Sequence, residues 1–588
     1  MLKQTKHPII SLFNVLIVGA LVLVACAGEE TTIEAPVEAT QPQVSEETPV
    51  EAQPTAAVEQ PTAEVQQPLD TPAAPIDAQG QVVADLGFRP EVNGFSFENY
   101  GNDTVATNLT PADVQRMFGD RACASLKSGQ CILVPQGRQW MDEVNQAMDG
   151  GHCEGLAALS LIFYTRKEDA SKYGASVTHD LSLAGNQPLQ EDIAYYWATQ
   201  GTSPTQDGEI KDKTPSQILD LLIEAYTKHT ETYTLGLYMA DGSGGHAITP
   251  FAVEDRGNSK FAILVYDNNY PGVTRYVEVD RNSDSWRYSG STNPSEPADD
   301  YVGDASTFTL SITPTSPRLQ QQQCPFCDQP SSSKGGKSGL AQTAPQYNQL
   351  WLEGNGNLLI TDGQGRRVGY VDGQFVQEIP EIQFQRMKLG KDVWDANPEP
   401  IYFIPVGLEF TVILDGAQIK DEESADLVMI GPGYALAVEG ILLDPDQQDT
   451  VTFAPDGTSL SYQTTSTESP NFAIDIETDA ADYSFETQGV DLPSGGVVNL
   501  QLDAKAGRLS LNTTGNTDVG TYDLLMTRYD DAGESSFYHD GITLDPNDTV
   551  NVLYADWTGD GGELTLELDA GSDGTIDDSV VLTDEQQQ

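Results

Sequence analysis

A short motif returns about every 50 residues in the C-terminal half of the sequence, and it restricts the possible folds more than any other feature. Residues 440–445 read Gly-Ile-Leu-Leu-Asp-Pro, residues 541–546 read Gly-Ile-Thr-Leu-Asp-Pro, and residues 489–493 form a weaker copy. Each copy is followed by a strand pattern, a turn with glycine and a second strand pattern. Repeats of four short strands indicate stacked or sandwiched β units. We therefore predict all-β, sandwich-like C-terminal domains: a β-rich domain at 347–435 and a β-repeat domain at 436–588.

The N-terminus has the features of an export signal. Lys3 and Lys6 precede an almost wholly apolar run, residues 8–25. The run ends in Leu-Val-Ala-Cys, which resembles the lipobox of bacterial lipoproteins. The resemblance implies that residues 1–25 are a signal peptide, that Cys26 is lipidated, and that the protein is anchored to the outer face of the bacterial cell membrane. The alternative is an uncleaved membrane anchor, which would tether the chain on the same side.

Composition separates a stalk from the folded body. Residues 26–85 are rich in Glu, Pro, Thr, Ala and Gln and have almost no aromatic residues, so we predict a disordered stalk. The whole chain has 89 acidic and 30 basic residues, a formal net charge of −59. Such a chain cannot neutralise a row of phosphates, so we expect no nucleic-acid partner. Docking on an anionic bilayer through a basic face is excluded too, which leaves the lipid anchor as the expected membrane contact.

Residues 86–315 combine helix and strand patterns. Capping residues and apolar spacing predict helices beginning at Thr110-Pro111, spanning 136–148, and beginning at Cys153 and at Thr214-Pro215. Alternating patterns predict strands at 233–239, 247–254, 260–266 and 274–279. Helices followed by a sheet are typical of an α+β domain. Residues 316–346 are assigned to a linker that contains a C-x-x-C motif.

Spacing and context divide the six cysteines. In an oxidising compartment the predicted disulfides are Cys123–Cys131, across a turn, and Cys324–Cys327, within the C-x-x-C motif. The C-x-x-C motif could also be half of a zinc site, but no second pair of ligands is visible nearby. A redox role would need a thioredoxin-like context, which is absent. With Cys26 lipidated, Cys153 remains unpaired and is either a buried apolar residue or a reactive thiol.

The surroundings of Cys153 favour a nucleophile. Two glycines end the preceding helix, and Cys153 then opens a run that is apolar almost all round. A thiol at a helix N-terminus faces free backbone N–H groups and the positive end of the helix dipole, which predicts a lowered pKa. The base that a thiolate nucleophile needs is best supplied by His246, at the start of a strand. Antiparallel pairing places Asp267 or Asn268 opposite His246, where a polar group would orient the imidazole.

Three short motifs in this order resemble papain-like-fold cysteine peptidases, especially C39-like domains. They are Gly-His-Cys-Glu-Gly-Leu at 151–156, Gly-His-Ala-Ile at 245–248 and Val-Tyr-Asp-Asn-Asn-Tyr-Pro-Gly at 265–272. Transglutaminase-like domains share the same order of Cys, His and Asp. The resemblance covers roughly residues 90–290 and implies a papain-like α+β fold with a catalytic triad. It also implies that Gln146, with Asn145 as the alternative, supports the oxyanion together with the backbone N–H of the nucleophile.

A weaker candidate site lies near the C-terminus. Asp569, Asp573 and Asp577 occupy positions 1, 5 and 9 of a stretch with Gly at position 6, which resembles EF-hand-like or dockerin-like calcium loops. Position 3 is Gly and no Glu occupies position 12, so a plain Asp/Gly turn is the alternative. The predicted chemistry requires no cofactor, and Ca²⁺ in this C-terminal region is the single metal prediction.

Two functions follow from these patterns. The first is a surface-anchored cysteine hydrolase or acyl transferase that acts on a peptide or amide bond of an extracellular protein or peptide through Cys153, His246 and Asp267. The second is a non-catalytic adhesion or binding lipoprotein whose papain-like domain is inactive.

Overall fold

The computed structural model describes residues 78–104, 106–239, 244–290, 300–327, 346–389, 399–478, 480–557, 559 and 561–585. In these ranges the α-helices are α1 (Pro90–Asn93), α2 (Pro111–Phe118), α3 (Pro135–Ala147), α4 (Cys153–Tyr164), α5 (Gln187–Ala198) and α6 (Pro215–Lys228). No helix among the described residues is both long enough and apolar enough to cross a membrane. The signal peptide, Cys26 and most of the predicted stalk lie outside the described residues.

The N-terminal domain is built on one antiparallel sheet. Its strands, together with a separate hairpin of β2 and β3, are β1 (Gln81–Asp85), β2 (Cys123–Lys127), β3 (Gln130–Leu133), β4 (Tyr233–Leu237), β5 (His246–Asp255), β6 (Lys260–Tyr266), β7 (Thr274–Asp280), β8 (Ser285–Ser289), β9 (Asp300–Asp304) and β10 (Leu310–Pro314). The sheet order is β10-β4-β5-β6-β7-β8-β9, with β1 added alongside β5. Helix α4 packs against β4 and β5 on one side and against α5 on the other.

Helix α4 is central because its sequence leaves no polar face. All twelve of its residues are buried, as expected of a helix that is apolar all round. Gly155 allows α5 to approach closely, since a Cβ atom there would lie 2.1 Å from the carbonyl oxygen of Ile193. Thus α4 is held between a second helix and the sheet, and its first residue, Cys153, is positioned by both layers.

The C-terminal part consists of two stacked sheets. Their strands are β11 (Tyr347–Gly354), β12 (Asn357–Asp362), β13 (Arg367–Val371), β14 (Gln374–Gln377), β15 (Gln383–Gln385), β16 (Ile401–Pro405), β17 (Phe410–Asp415), β18 (Glu423–Gly431), β19 (Tyr434–Leu443), β20 (Gln448–Phe453), β21 (Ser459–Gln463), β22 (Asn471–Ile476), β23 (Asp482–Gln488), β24 (Val497–Asp503), β25 (Arg508–Thr514), β26 (Gly520–Asp530), β27 (Gly533–Leu544), β28 (Thr549–Leu553), β29 (Leu564–Asp569) and β30 (Asp578–Leu582). One sheet has the order β15-β16-β11-β18-β19-β22-β23-β26-β27, and the other has β14-β13-β12-β17-β20-β21-β24-β25-β28-β29-β30. A continuous apolar core contains residues of both sheets. The prediction of a multidomain chain with an all-β, sandwich-like C-terminal part is confirmed.

The sequence repeat corresponds to a repeated pair of hairpins. Hairpins β18–β19, β22–β23 and β26–β27 lie in the first sheet; the first two are each followed by two strands in the second sheet, and the third by three. The motif glycines Gly440, Gly489 and Gly541 all have a positive φ, which favours glycine over other residues. In each case the glycine N–H donates to a side-chain oxygen of the partner strand, namely Asp426, Asn471 or Asp523.

Three predicted boundaries need correction. The predicted stalk, 26–85, includes β1, which pairs with β5 and is therefore part of the sheet. The predicted linker, 316–346, begins with packed chain, because Arg318 and Phe326 are buried. The predicted division between 347–435 and 436–588 does not separate two units, because β19 crosses it and both sheets continue through it. Pairing between strands distant in the sequence sets these boundaries, and local composition does not report it.

Most predicted elements of the N-terminal domain are present, but not all elements were predicted. Helices α2, α3, α4 and α6 and strands β4 to β7 lie where the sequence patterns placed them, within about two residues. The elements that were missed are helices α1 and α5 and strands β1, β2, β3, β8, β9 and β10. Both predicted disulfides, Cys123–Cys131 and Cys324–Cys327, are confirmed, and Cys153 is a free, buried cysteine.

Candidate functional site

The site begins at the turn before α4. Gly151 has φ 119°, a conformation that glycine adopts readily and other residues rarely do. His152 follows as the N-cap residue, and both of its ring nitrogens are engaged, Nδ1 with the Tyr100 carbonyl at 2.7 Å and Nε2 with Asn108 Oδ1 at 2.9 Å. His152 is therefore a structural residue, and Cys153 is the first residue of the helix.

The start of β5 lies directly against the thiol. The backbone N–H of Ala247 donates to Cys153 Sγ at 3.3 Å. Asn268, just after β6, donates from its amide to the carbonyl oxygens of Cys153, at 3.0 Å, and of Ala247, at 2.9 Å. Asn268 was the alternate candidate for orienting His246. In the structure it instead connects the first turn of α4 to β5.

Asp267 orients the imidazole of His246. His246 Nε2 lies 2.9 Å from Asp267 Oδ1, and the same oxygen accepts the backbone N–H of Asn269 at 2.9 Å. The other carboxylate oxygen accepts the hydroxyl of Tyr288. Burial alone would raise the pKa of Asp267, but the charge and hydrogen bond of His246, together with the hydrogen bonds of Tyr288 and Asn269, lower it. The carboxylate is therefore anionic and holds the ring by Nε2.

The second ring nitrogen of His246 is left without a partner. Within the described residues, Nδ1 is buried and makes no hydrogen bond. Ala247, the residue after His246, donates its backbone N–H to Cys153 Sγ. His246 therefore directly precedes the residue that contacts the thiol. This arrangement leaves a free proton acceptor or donor on the side of the ring opposite the carboxylate.

The state of the thiol differs from the sequence-based expectation. Cys153 is 0% exposed, and burial raises its pKa well above the ordinary value, with a further increase from the charge of Glu154. The prediction of a lowered pKa is therefore wrong for this closed arrangement. The favourable contribution of the helix N-terminus is smaller than the cost of removing a thiolate from water.

Behind Cys153 lies a network of four buried charges. Glu154 pairs with Arg318 and accepts the Thr234 hydroxyl at 2.9 Å. Lys388, from the segment after β15, lies 3.9 Å from Glu154 and 2.8 Å from Glu209. Burial would raise the pKa of both acids, but the nearby cations lower that of Glu154 and bring that of Glu209 to about 2. The network is electrically balanced, and sequence reasoning missed all four residues. An acid within the apolar run of α4 was the available signal, since a buried charge requires a partner.

The predicted oxyanion residues are not at the site. Gln146 is exposed on the last turn of α3, and a 3-10 turn, Met148–Gly150, separates that helix from α4. The Asn145 side chain is hydrogen-bonded to the N–H and carbonyl of Leu109. Both proposals relied on counting back from Cys153, and the intervening turn changes the direction of the chain. The side chain that reaches this region is Asn99, which accepts the N–H of His152 at 2.8 Å.

The C-terminal loop is a hydrogen-bonded turn. Asp569 accepts the N–H groups of Asp573 and Gly574, both at 2.9 Å, and Asp577 accepts that of Ala570 at 2.9 Å. Among the described residues, no group of three or more His, Cys, Asp and Glu side chains is arranged to hold a metal ion. The carboxylates are used by the backbone, so the turn interpretation accounts for this loop, and calcium binding stays a prediction.

No protein-family model, curated protein or solved structure matches this chain. The functional argument therefore depends on the sequence motifs and on the geometry of the site.

Proposed function

We propose that the protein is a cysteine hydrolase or acyl transferase with a papain-like domain, anchored through Cys26 to the outer face of the bacterial membrane. The observation that carries the proposal is the His246–Asp267 pair. An anionic carboxylate holds Nε2, Nδ1 is free, and the next residue contacts the thiol. This arrangement supplies an oriented imidazole whose unpartnered nitrogen belongs to a residue beside the thiol contact, which supports its assignment as the base of a thiol nucleophile.

The chemistry is acyl transfer from an amide. The Cys153 proton passes to Nδ1 of His246, and Sγ forms a bond to the carbonyl carbon of the substrate. The amide C–N bond then breaks, and His246 returns the proton to the leaving amine. Water adds to the resulting thioester, releasing a carboxylate and the free thiol, whereas an amine in place of water gives a new amide. Asp267 stabilises the protonated imidazole throughout.

Acylation with a small activated ester tests this proposal without knowledge of the natural substrate. Incubation with p-nitrophenyl acetate should give an acetyl thioester at Cys153, detected by peptide mass spectrometry. The His246→Gln variant should acylate at least about 100-fold more slowly, since a positioned base contributes 10²–10⁴-fold. His539→Gln, in β27 of the other domain, is the matched control and should leave the rate unchanged. Equal rates for wild type and His246→Gln would contradict the proposal.

One observation favours the second function, a binding lipoprotein with an inactive papain-like domain. Cys153 and His246 are 0% and 1% exposed, and no thiol–imidazole hydrogen bond is formed. This function predicts no acetyl thioester under the same conditions, so the acylation experiment separates the two.

A further inference from the structure

A segment of the C-terminal part lies along the cysteine site. We call residues 386–389, which follow β15, the cleft segment. Its backbone is hydrogen-bonded to the N-terminal domain at three of four residues. The Arg386 carbonyl accepts the Tyr238 hydroxyl at 3.3 Å, the Lys388 N–H donates to Gln200 at 2.8 Å, and the Leu389 N–H donates to the Gly245 carbonyl at 3.0 Å. The domain thus binds it as a stretch of chain without regular secondary structure.

The contacts lie on both sides of the catalytic pair. Gly245 directly precedes His246, and Gly150 lies three residues before Cys153. The Leu389 carbonyl accepts the amide of Asn99 at 3.1 Å, and the same side chain accepts the N–H of His152. A bound chain that contacts residues next to the base and next to the nucleophile occupies the place a substrate would need.

Glycines make room for this chain. A Cβ at Gly150 would lie 2.5 Å from Leu389 Cδ1, and one at Gly245 would lie 2.6 Å from the Met387 carbonyl oxygen. A Cβ at Gly236, on β4, would lie 2.7 Å from Lys388 Cε. Three positions that lack side chains therefore form the wall against which the segment lies, as in a groove built for a peptide.

The Lys388 side chain supplies the specific contact. It is 1% exposed and ends between Glu209, at 2.8 Å, and Glu154, at 3.9 Å. Without this lysine the two acids would keep Arg318 as their buried cation and Lys211 as a nearby exposed one, so their buried negative charge would be poorly compensated. The pocket therefore accepts exchange of one lysine for another far more readily than it accepts being empty.

We propose that the cleft segment is an internal ligand in the substrate groove of Cys153, and that this groove binds extended peptides in which a lysine precedes an apolar residue. The inference rests on the proposed function and adds a substrate class and a mode of regulation. The protein's own segment keeps peptide substrates, but not a small ester, out of the site until a peptide of the same chemistry replaces it.

Peptide binding tests the groove independently of catalysis. The full chain carrying Cys153→Ser and Lys388→Met is titrated against fluorescein-labelled Gln-Phe-Gln-Arg-Met-Lys-Leu, the sequence of residues 383–389, and anisotropy is measured. We expect binding at least tenfold tighter than to the chain carrying Cys153→Ser alone, and at least tenfold loss when the peptide lysine is replaced by Glu. The matched control for Lys388→Met is Gln383→Ala, at an exposed position on β15. In the Cys153→Ser background this control should bind the peptide with the same affinity as the chain carrying Cys153→Ser alone. Equal affinity for the two variants, or for the two peptides, would overturn the inference.

A second measurement covers the case in which Lys388→Met does not fold. Leu389→Ala removes the side chain from Gly150 and leaves the charge network intact. Alkylation of Cys153 by iodoacetamide should then be at least tenfold faster than in Gln383→Ala, with unchanged far-ultraviolet circular dichroism, and equal rates would overturn the inference. Peptide binding without ester acylation would refute the proposed function alone, and acylation without peptide binding would refute the groove alone.

Discussion

Replacement of Arg318 by Met removes one charge from the network behind Cys153 and should strongly destabilise the N-terminal domain. Arg318 is 0% exposed, pairs with Glu154, and donates to the hydroxyls of Thr199 at 2.9 Å and Thr234 at 3.1 Å. Met keeps the apolar stem but leaves Glu154 to share Lys388 with Glu209. Removal of one partner of a buried ion pair costs about 3–5 kcal/mol.

Protonation of Glu154 sets an upper bound on how much its unpaired charge can destabilise the Arg318→Met variant. Glu154 can take up a proton instead of remaining anionic, and its ordinary pKa is 4.5. Because one pKa unit corresponds to about 1.4 kcal/mol, that proton costs about 3.4 kcal/mol at pH 7 and about 0.7 kcal/mol at pH 5. In the Arg318→Met variant we expect the pKa of Glu154 to be higher in the folded state than in the unfolded state. The variant's stability is therefore retained at low pH and lost as the pH rises. We therefore expect a loss of about 3–5 kcal/mol at pH 7 that shrinks by about 2–3 kcal/mol at pH 5.

The assay uses Cys153 as a local probe of the unfolding of α4. Pulse alkylation across a urea series, read by peptide mass spectrometry, gives the free energy of unfolding of this domain. The double variant Arg318→Met/Glu154→Gln should be about 2–3 kcal/mol more stable than the sum of the two single effects predicts, because it also removes the Glu154 charge that Arg318→Met leaves unpaired. A loss under about 1 kcal/mol at pH 7, the same loss at both pH values, or additive effects would refute the reasoning.

Two further predictions concern packing and pH. Gly155→Ala should lower the free energy of unfolding by more than about 2 kcal/mol in urea denaturation, because its Cβ would lie 2.1 Å from a carbonyl oxygen of α5. The control Gly363→Ala, which has open space around it, should leave the stability unchanged. Equal effects of the two substitutions would contradict this prediction. The free energy of unfolding should fall by at least about 2 kcal/mol from pH 5 to pH 9. Burial raises the pKa of Glu353 and of Glu439 to about 8. The folded state therefore holds protons that the unfolded state has already released, and this contribution to stability is lost as the pH rises. Thermal unfolding across this range would refute the argument if the melting temperature increased with pH.

Local patterns predicted the elements that carry their own signals. The capping box of α6, with Thr214 and Gln217, gives a helix start that is readable from the sequence. The motif glycines likewise marked a repeated backbone conformation. Helix α5 has no side-chain cap and mixes apolar residues with tyrosines on all sides, so its pattern has no clear period. In the fold, α5 packs against α4, a contact that no local pattern reports.

The candidate site shows the same division. Residue type and order singled out Cys153, His246 and Asp267, and the fold brings Asp267 to His246 and the residue after His246 to the Cys153 thiol. Gln146 was misplaced because a count along the chain takes no account of the turn that follows α3. The other three members of the charge network of Glu154 come from distant parts of the sequence, at 209, 318 and 388, and no local pattern connects them.

The sequence by itself determined the repeat, the two disulfides, and the place of Cys153 at the start of an apolar helix, because each depends on neighbours along the chain or on cysteine spacing. Only the tertiary structure decided that this thiol is fully buried, that its pKa is raised, that Lys388 joins the charge network of Glu154, and that Leu389 lies against Gly150 and Gly245. The reason is physical. Desolvation and Coulomb energies depend on distances between groups that are far apart in sequence, and those distances exist only once the sheets and helices have packed.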